Sequence, residues 1–318
     1  MDFSWQKKLF RLDLVVLLPL FAVAGATAAA CPEADTVALD WLDKMSRSMR
    51  QVSYQGVVTL QRGDELQAMQ VSHSVDHGNS SERLTLLTGQ GAQVVRASHP
   101  LNCIHPGEQL IRLDAPRQQD HCGIAGQYRL SIADGERVAG RNAVRINIEP
   151  RDMYRFGYVI DLDRETGLLL KSQTISHGHK ALETVQFAHI SYATDVLIVG
   201  EAVVLHEAQH PHPQGPAVNS AVARAWSLGW LPRGFAATES SLGIPGRRTY
   251  TDGLAVFSVF LEDLDRQIHP GEGLVREGGT TVYTRGMLIA GQPVLVTVIG
   301  EVPVNTARMV ADSVNWVQ

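Results

Sequence analysis

His206, Glu207 and His210 are the residues whose types and spacing point most directly to chemistry. In the pattern His-Glu-x-x-His a helix sets two imidazoles on one face of a zinc ion and leaves the glutamate as general base. The surroundings argue against that use here. Pro211 disfavours helical geometry at His210, and Pro213 and Pro216 stand where the extended metal-binding pattern needs Gly and His. A third ligand would have to come from Glu239 across a proline-rich stretch, so a solvated linker explains the three residues better than a zinc protease does. Asp161, Asp163 and Glu165 ahead of Gly167 imitate the start of a calcium loop, yet the glycine comes one position late and Ser172 cannot supply the closing bidentate carboxylate. A hairpin turn accounts for them better. Glycines 271, 273, 278 and 279 lack the following helix and lysine of a phosphate loop and read as a flexible surface loop. Neither G-x-S-x-G nor a loop ending in Gly-Lys-Ser/Thr occurs. The expectation is a protein with no catalytic residue, no metal and no cofactor, one that binds rather than converts.

The compartment is written in the first thirty residues. Lys7, Lys8 and Arg11 precede an apolar core, Leu14 to Gly25, and Ala28-Ala29-Ala30 offers the small residues a signal peptidase accepts. Twelve apolar residues fall short of the roughly 20 that span a bilayer. Residues 1–30 are therefore expected to be a cleaved leader and the mature chain to be exported. Cys31 would follow the cleavage site, where lipid anchoring is the alternative fate. Export also makes a disulfide the default for two cysteines that can meet, and Cys103 to Cys122 is the expected bond. Closing that loop would contribute roughly 3 kcal/mol. With 28 Lys+Arg against 33 Asp+Glu, spread through the sequence, no footprint for nucleic acid is visible.

Two ordinary cores fit in 318 residues. Asp35 or Thr36 caps an opening helix whose Val37, Trp41, Met45 and Met49, with Ala38, Leu42 and Val52 beside them, form one apolar stripe. From Tyr54 to about Ala193, short runs of β-formers alternate with turn residues: 54–61, 66–75, 83–87, 93–97, 109–113, 128–132, 144–148, 158–162, 168–175 and 184–192. So many consecutive strands predict an antiparallel meander curled into a large half-barrel that the helix closes over. Val58, Leu60, Leu84 and Leu86 then fill the core or line an apolar ligand groove. Pro211, Pro213, Gly215 and Pro216 mark a linker over 210–222, leaving domains at 31–209 and 223–318; the run 196–206 has no clear period. The second domain reads as a smaller α+β unit with strands at 223–227, 247–251, 255–261, 280–289 and 294–300, a loop over 263–279, and a last helix after Pro303 capped by Asn305. The fold class is α+β, mostly antiparallel β.

Trp226, Trp230 and Phe235 cluster within ten residues, and such aromatics either fill a core or anchor an interface. The run Trp226 to Phe235 (WSLGWLPRGF), then Tyr250 to Val259 (YTDGLAVFSV), then Val298 to Pro303 (VIGEVP) resembles the C-terminal domain of the RseB/MucB family. The opening helix, the meander and the Tyr158 to Leu168 hairpin are similar to its lipoprotein-carrier-like first domain. The resemblance implies periplasmic negative regulation of an envelope-stress sigma factor. It implies binding the periplasmic part of a single-pass anti-sigma factor, shielding it from proteolysis, and letting go when lipopolysaccharide or lipoprotein acyl chains signal stress. Trp226, Trp230, Leu231, Phe235, Tyr250 and Asp252 are the expected partner contacts, and homo-oligomerisation is left open. A periplasmic lipid or lipoprotein carrier is the alternative class.

Overall fold

A computed structural model describes residues 35–89, 93–100, 123–192, 226–238, 246–264 and 271–317. Several expectations fall outside them: the leader, Cys31, the Cys103–Cys122 bond, the strand at 109–113, the run 196–206, the linker with its domain boundary, and His206, Glu207 and His210.

Helix α1 spans Thr36–Gln51, and Asp35 caps it by accepting a hydrogen bond from the Ala38 amide at 3.1 Å. Val52 leaves the helix with extended dihedrals and leads into the first strand. The buried face is Ala38, Leu39 and Leu42, with Trp41 and Met45 packed beside it. Val37 and Met49 are exposed, so the expected stripe is rotated towards Leu39. Ser46 and Ser48 take the buried positions of the last turns.

Nine strands follow: β1 (Tyr54–Arg62), β2 (Glu65–Asp76), β3 (Asn79–Leu86), β4 (Gln93–Pro100), β5 (Tyr128–Asp134), β6 (Ala143–Pro150), β7 (Gly157–Asp163), β8 (Leu169–Ile175) and β9 (Ala181–Ser191). They make one antiparallel sheet in the order β4-β3-β2-β1-β9-β8-β7-β6-β5. The expected single meander is therefore two, zipped together by β1 against β9, which leaves β4 and β5 on opposite edges. Close approach at that zipper depends on Gly56, where a Cβ would lie 2.2 Å from the His189 carbonyl oxygen. Directly paired residues share a face. Leu60, Val185, Ser172, Ile160 and Ile146 form one continuous row across β1, β9, β8, β7 and β6. Its far end, Ile160 and Ile146, lies in the core under α1 with Leu130, Ile148 and Leu162. Helix and row thus define the inner face of an open, curved sheet.

The second layer contains β10 (Trp226–Leu228), β11 (Ala236–Ala237), β12 (Arg247–Thr251), β13 (Val256–Asp263), β14 (Glu272–Glu277), β15 (Thr280–Ile289), β16 (Gln292–Gly300), α2 (Val304–Asp312) and β17 (Val314–Trp316). Six strands pair in the order β11-β12-β13-β16-β15-β14, while β10 pairs with β17. Its core gathers Trp226, Phe257, Val259, Tyr283, Val296, Val298, Val310 and Val314. Two expectations are corrected. Residues 272–277 form a strand rather than a loop, because Gly278, at φ +56°, turns the chain so that β14 runs back along β15. Pro303, not Asn305, occupies the helix N-cap, and it makes no side-chain cap bond. Proline presets the entry geometry without offering an acceptor.

Candidate functional site

The two layers meet at a charged socket that no local pattern announces. Between β6 and β7 the chain turns through Arg151 to Phe156, and Arg155 projects from this turn into the second layer. Its side chain is completely buried, as is that of Asp252, which it meets in the turn between β12 and β13. Nη1 donates to Asp252 Oδ2 at 2.6 Å, Nη2 to the Arg233 carbonyl at 2.6 Å, and Nε to Asp152 Oδ1 at 3.1 Å. The guanidinium also lies over the rings of Tyr128 and Phe235, at 5.5 and 5.1 Å from their centroids. Such a planar fork reaches separated acceptors in fixed directions, a geometry that the single nitrogen of a lysine does not match.

Asp252 is as fully engaged as its partner. Oδ1 accepts from the amides of Leu254 and Ala255, fixing the turn, and Oδ2 accepts from the Tyr128 hydroxyl at 2.9 Å as well as from Arg155. Burial, and then the nearby Asp252 charge, push the Tyr128 phenol well above its ordinary range, so it stays a donor. Burial opposes the Arg155 charge, but its bond to Asp152 and the proximity of Asp252 outweigh that cost and raise its pKa. Around this centre Thr306 of α2 donates to the Tyr154 carbonyl at 2.9 Å, Tyr154 packs edge-on against Trp230, and Leu254 packs against the core beneath α1. Gly234 sits at φ +90°, and a Cβ there would lie 2.5 Å from Gln127.

A second crossing lies at the other end of the seam. Arg62 of β1 donates to Glu183 and, at 2.8 Å, to Glu277 of β14, while Glu183 accepts from the Gly279 amide. Glu301 and the partly buried Tyr158 feel charges of both crossings, Asp252 of the first and Glu183 of the second. The Tyr158 hydroxyl has no hydrogen-bond partner among the described residues. Burial raises Glu301, and the facing charges of Glu183 and Asp252 raise it further.

Of the expected partner contacts, Trp226, Phe235, Tyr250 and Asp252 are each at most 6% exposed. Their side chains serve the core and the seam. Trp230 and Leu231 are partly exposed against the same core. The four groove candidates are brought together on the inner face: Val58, Met69 and Leu86 form one cross-strand row, Leu84 pairs with Val71, and Leu60 begins the row that ends under α1. Val58 is buried, whereas Leu84 and Val185 are 36% and 37% exposed. The three acids of the calcium-like run are taken by arginines, Asp161 by Arg145 at 2.9 Å through both oxygens, and Asp163 and Glu165 by Arg141. Among the described residues no cluster of three or more His, Cys, Asp or Glu could hold a metal ion. No described helix is long and apolar enough to cross a membrane.

Sequence reasoning missed Arg155 and Tyr128. Arg155 and Asp252 are 97 positions apart, so no spacing rule joins them. The only local signal is a charged Arg-Asp-x-x-Arg turn amid β-formers.

Comparison with known proteins accounts for nearly all of the chain. Residues 37–204 match the family model described as the MucB/RseB N-terminal domain, and residues 220–315 match the MucB/RseB C-terminal domain. The sigma factor AlgU regulatory protein MucB of Pseudomonas aeruginosa is 35% identical over 95% of this chain and 96% of its own length. The sigma-E factor regulatory protein RseB of Escherichia coli K12 is 22% identical over 96% and 97%. A crystal structure of MucB in complex with MucA(peri) is similar with a TM-score of 0.67 at 34% identity, covering 87% of this chain and 98% of that one. Matching both family models in the order of its two layers, the chain belongs to the MucB/RseB family.

Proposed function

We propose that this chain is a periplasmic regulatory binding protein, not an enzyme, that holds the periplasmic domain of a single-pass anti-sigma factor. In this reading it shields that domain from regulated proteolysis and releases it when lipidic envelope-stress signals accumulate. One observation carries the proposal: likeness along nearly the whole length to a sigma factor regulatory protein, and to MucB as found in complex with MucA(peri). The half-covered inner face around Leu60, Leu84, Leu86 and Val185 supports the lipidic part, since an apolar strip beside a closed core suits an acyl chain. Linkage then sets the mechanism. A ligand that favours a conformation with poor partner affinity must lower that affinity by the factor by which the partner lowers its own.

The same inner face favours a second reading, a lipid or lipoprotein carrier. One experiment separates the two. The full mature chain is titrated with the periplasmic segment of the anti-sigma factor encoded beside it, and lipopolysaccharide is then added as competitor. Micromolar or tighter binding that lipopolysaccharide reverses is the expected result. No binding, with transfer of lipid between vesicles instead, would establish the carrier.

A further inference from the structure

Arg155 joins residues far apart in sequence, its side chain and that of Asp252 are fully buried, each of its three guanidinium nitrogens is bonded, and it belongs to neither apolar core. Those properties belong to a fastening. Asp152 and Tyr128 come from the first layer with Arg155, while Asp252, the Arg233 carbonyl and Phe235 come from the second. Unseating the guanidinium would strip Asp252 of its counter-charge inside the seam. A buried carboxylate left in that state is strongly unfavourable, so water must enter and the layers must part. The seam therefore favours two discrete arrangements, seated or open, over a graded loosening.

Groups around the socket push towards the open arrangement. The charge of Glu183 in the first layer acts with that of Asp252 on Glu301 in the second, and among these acids Arg155 bonds Asp252 and Arg62 bonds Glu183. Arg62 reaches an exposed glutamate at Glu277, a contact that solvent screens. Arg155 is the unscreened one. Beside it, the Tyr158 hydroxyl, without a hydrogen-bond partner among the described residues, forgoes a bond that water would supply on opening.

We propose that Arg155 is a positioning residue that acts as a latch: seated in the Asp152, Asp252 and Arg233 socket it fixes the relative orientation of the two domains, and unseated it lets them move as separate bodies. The latch stands on the seam geometry and does not depend on what the protein regulates.

Amide hydrogen exchange and small-angle scattering on the full mature chain test it. In Arg155→Met, exchange is expected to rise at least roughly tenfold in 151–157, 231–235 and 252–255, with amides of β6 and β13 unchanged and the radius of gyration increased. Arg155→Lys keeps the charge but loses the fork, and it is expected to open the same segments. Tyr128→Phe removes one bond to Asp252 and should open them less. Arg308→Ala, in the exposed cluster with Glu272, should leave them unchanged. If Arg155→Met does not fold, Arg155→Lys and Tyr128→Phe carry the test. Seam protection and scattering equal to wild type in the folded Arg155 variant would overturn the latch. So would loss of protection spread evenly over both cores, which would make Arg155 an ordinary stability residue.

Discussion

At the scale of single residues, the charged groups of this molecule fall into two populations with opposite pH behaviour. Burial alone would raise Asp163, but hydrogen bonds from Arg141 and Tyr192 overcome it and hold its carboxyl below the usual carboxylate range. A group depressed on folding stabilises above its unfolded value, about 3.9 for an aspartate, and that contribution is lost as pH falls through the folded value. Glu301 is raised, so its contribution is present below about pH 4.3, the unfolded value, and is lost as pH rises through the folded one. Urea midpoints measured against pH should therefore show Glu301→Gln gaining on wild type as pH rises from about 4.3. Asp163→Asn should lose its deficit only in acid. A Glu301→Gln curve parallel to wild type would mean that the carboxylate does not feel Glu183 and Asp252. Glycines set the other limit at this scale. Gly300→Ala would place a Cβ 2.3 Å from the Val256 carbonyl oxygen, with backbone unable to yield, and should cost about 1–3 kcal/mol as overpacking does. None of these contacts was legible beforehand, because each joins segments that sequence periodicity cannot relate.

At the scale of elements the sequence was far more informative, and the reason is the period-two pattern of half-buried strands. The runs 158–162, 247–251 and 280–289 anticipate β7, β12 and β15 to within a residue or match them outright. What failed was pairing and phase. Nothing in 54–62 or 181–191 says that β1 closes on β9, since either edge of a meander offers the same backbone groups. The helix stripe was misphased because Ser46 and Ser48 hold buried positions where apolar residues were sought. Strand β14 was hidden by its glycines, which read as a loop until the turn at Gly278 is placed. The corrected face makes a quantitative prediction. Leu42 is buried against the inner sheet, so Leu42→Ala should cost about 2–5 kcal/mol in chemical denaturation. Val37→Ala, on the exposed side of the same helix, should fall within about 0.5 kcal/mol. Comparable losses from the two would restore the originally expected stripe.

For the whole molecule, the uneven covering of the inner face is what links fold to proposed function. Helix α1 fills the half over β5, β6 and β7, while the half over β9, β1, β2 and β3 leaves the apolar side chains of Leu84 and Val185 exposed. A sheet that needed only a core would gain by covering both halves, because exposed apolar area forgoes roughly 25 cal/mol per Å². Retaining it makes sense if something else covers it for part of the time, and the regulatory reading supplies that occupant as an acyl chain. Leu84→Ser combined with Leu86→Ser tests the link. Both side chains are partly exposed, so the pair should cost little in stability, and binding of the anti-sigma segment, if it lies elsewhere, should stay within about twofold. Its reversal by lipopolysaccharide should need at least about tenfold more ligand, the loss expected when two apolar anchors leave a groove. Unchanged competition in a folded double variant would place lipid recognition on another surface, while loss of partner binding together with competition would show that one face serves both.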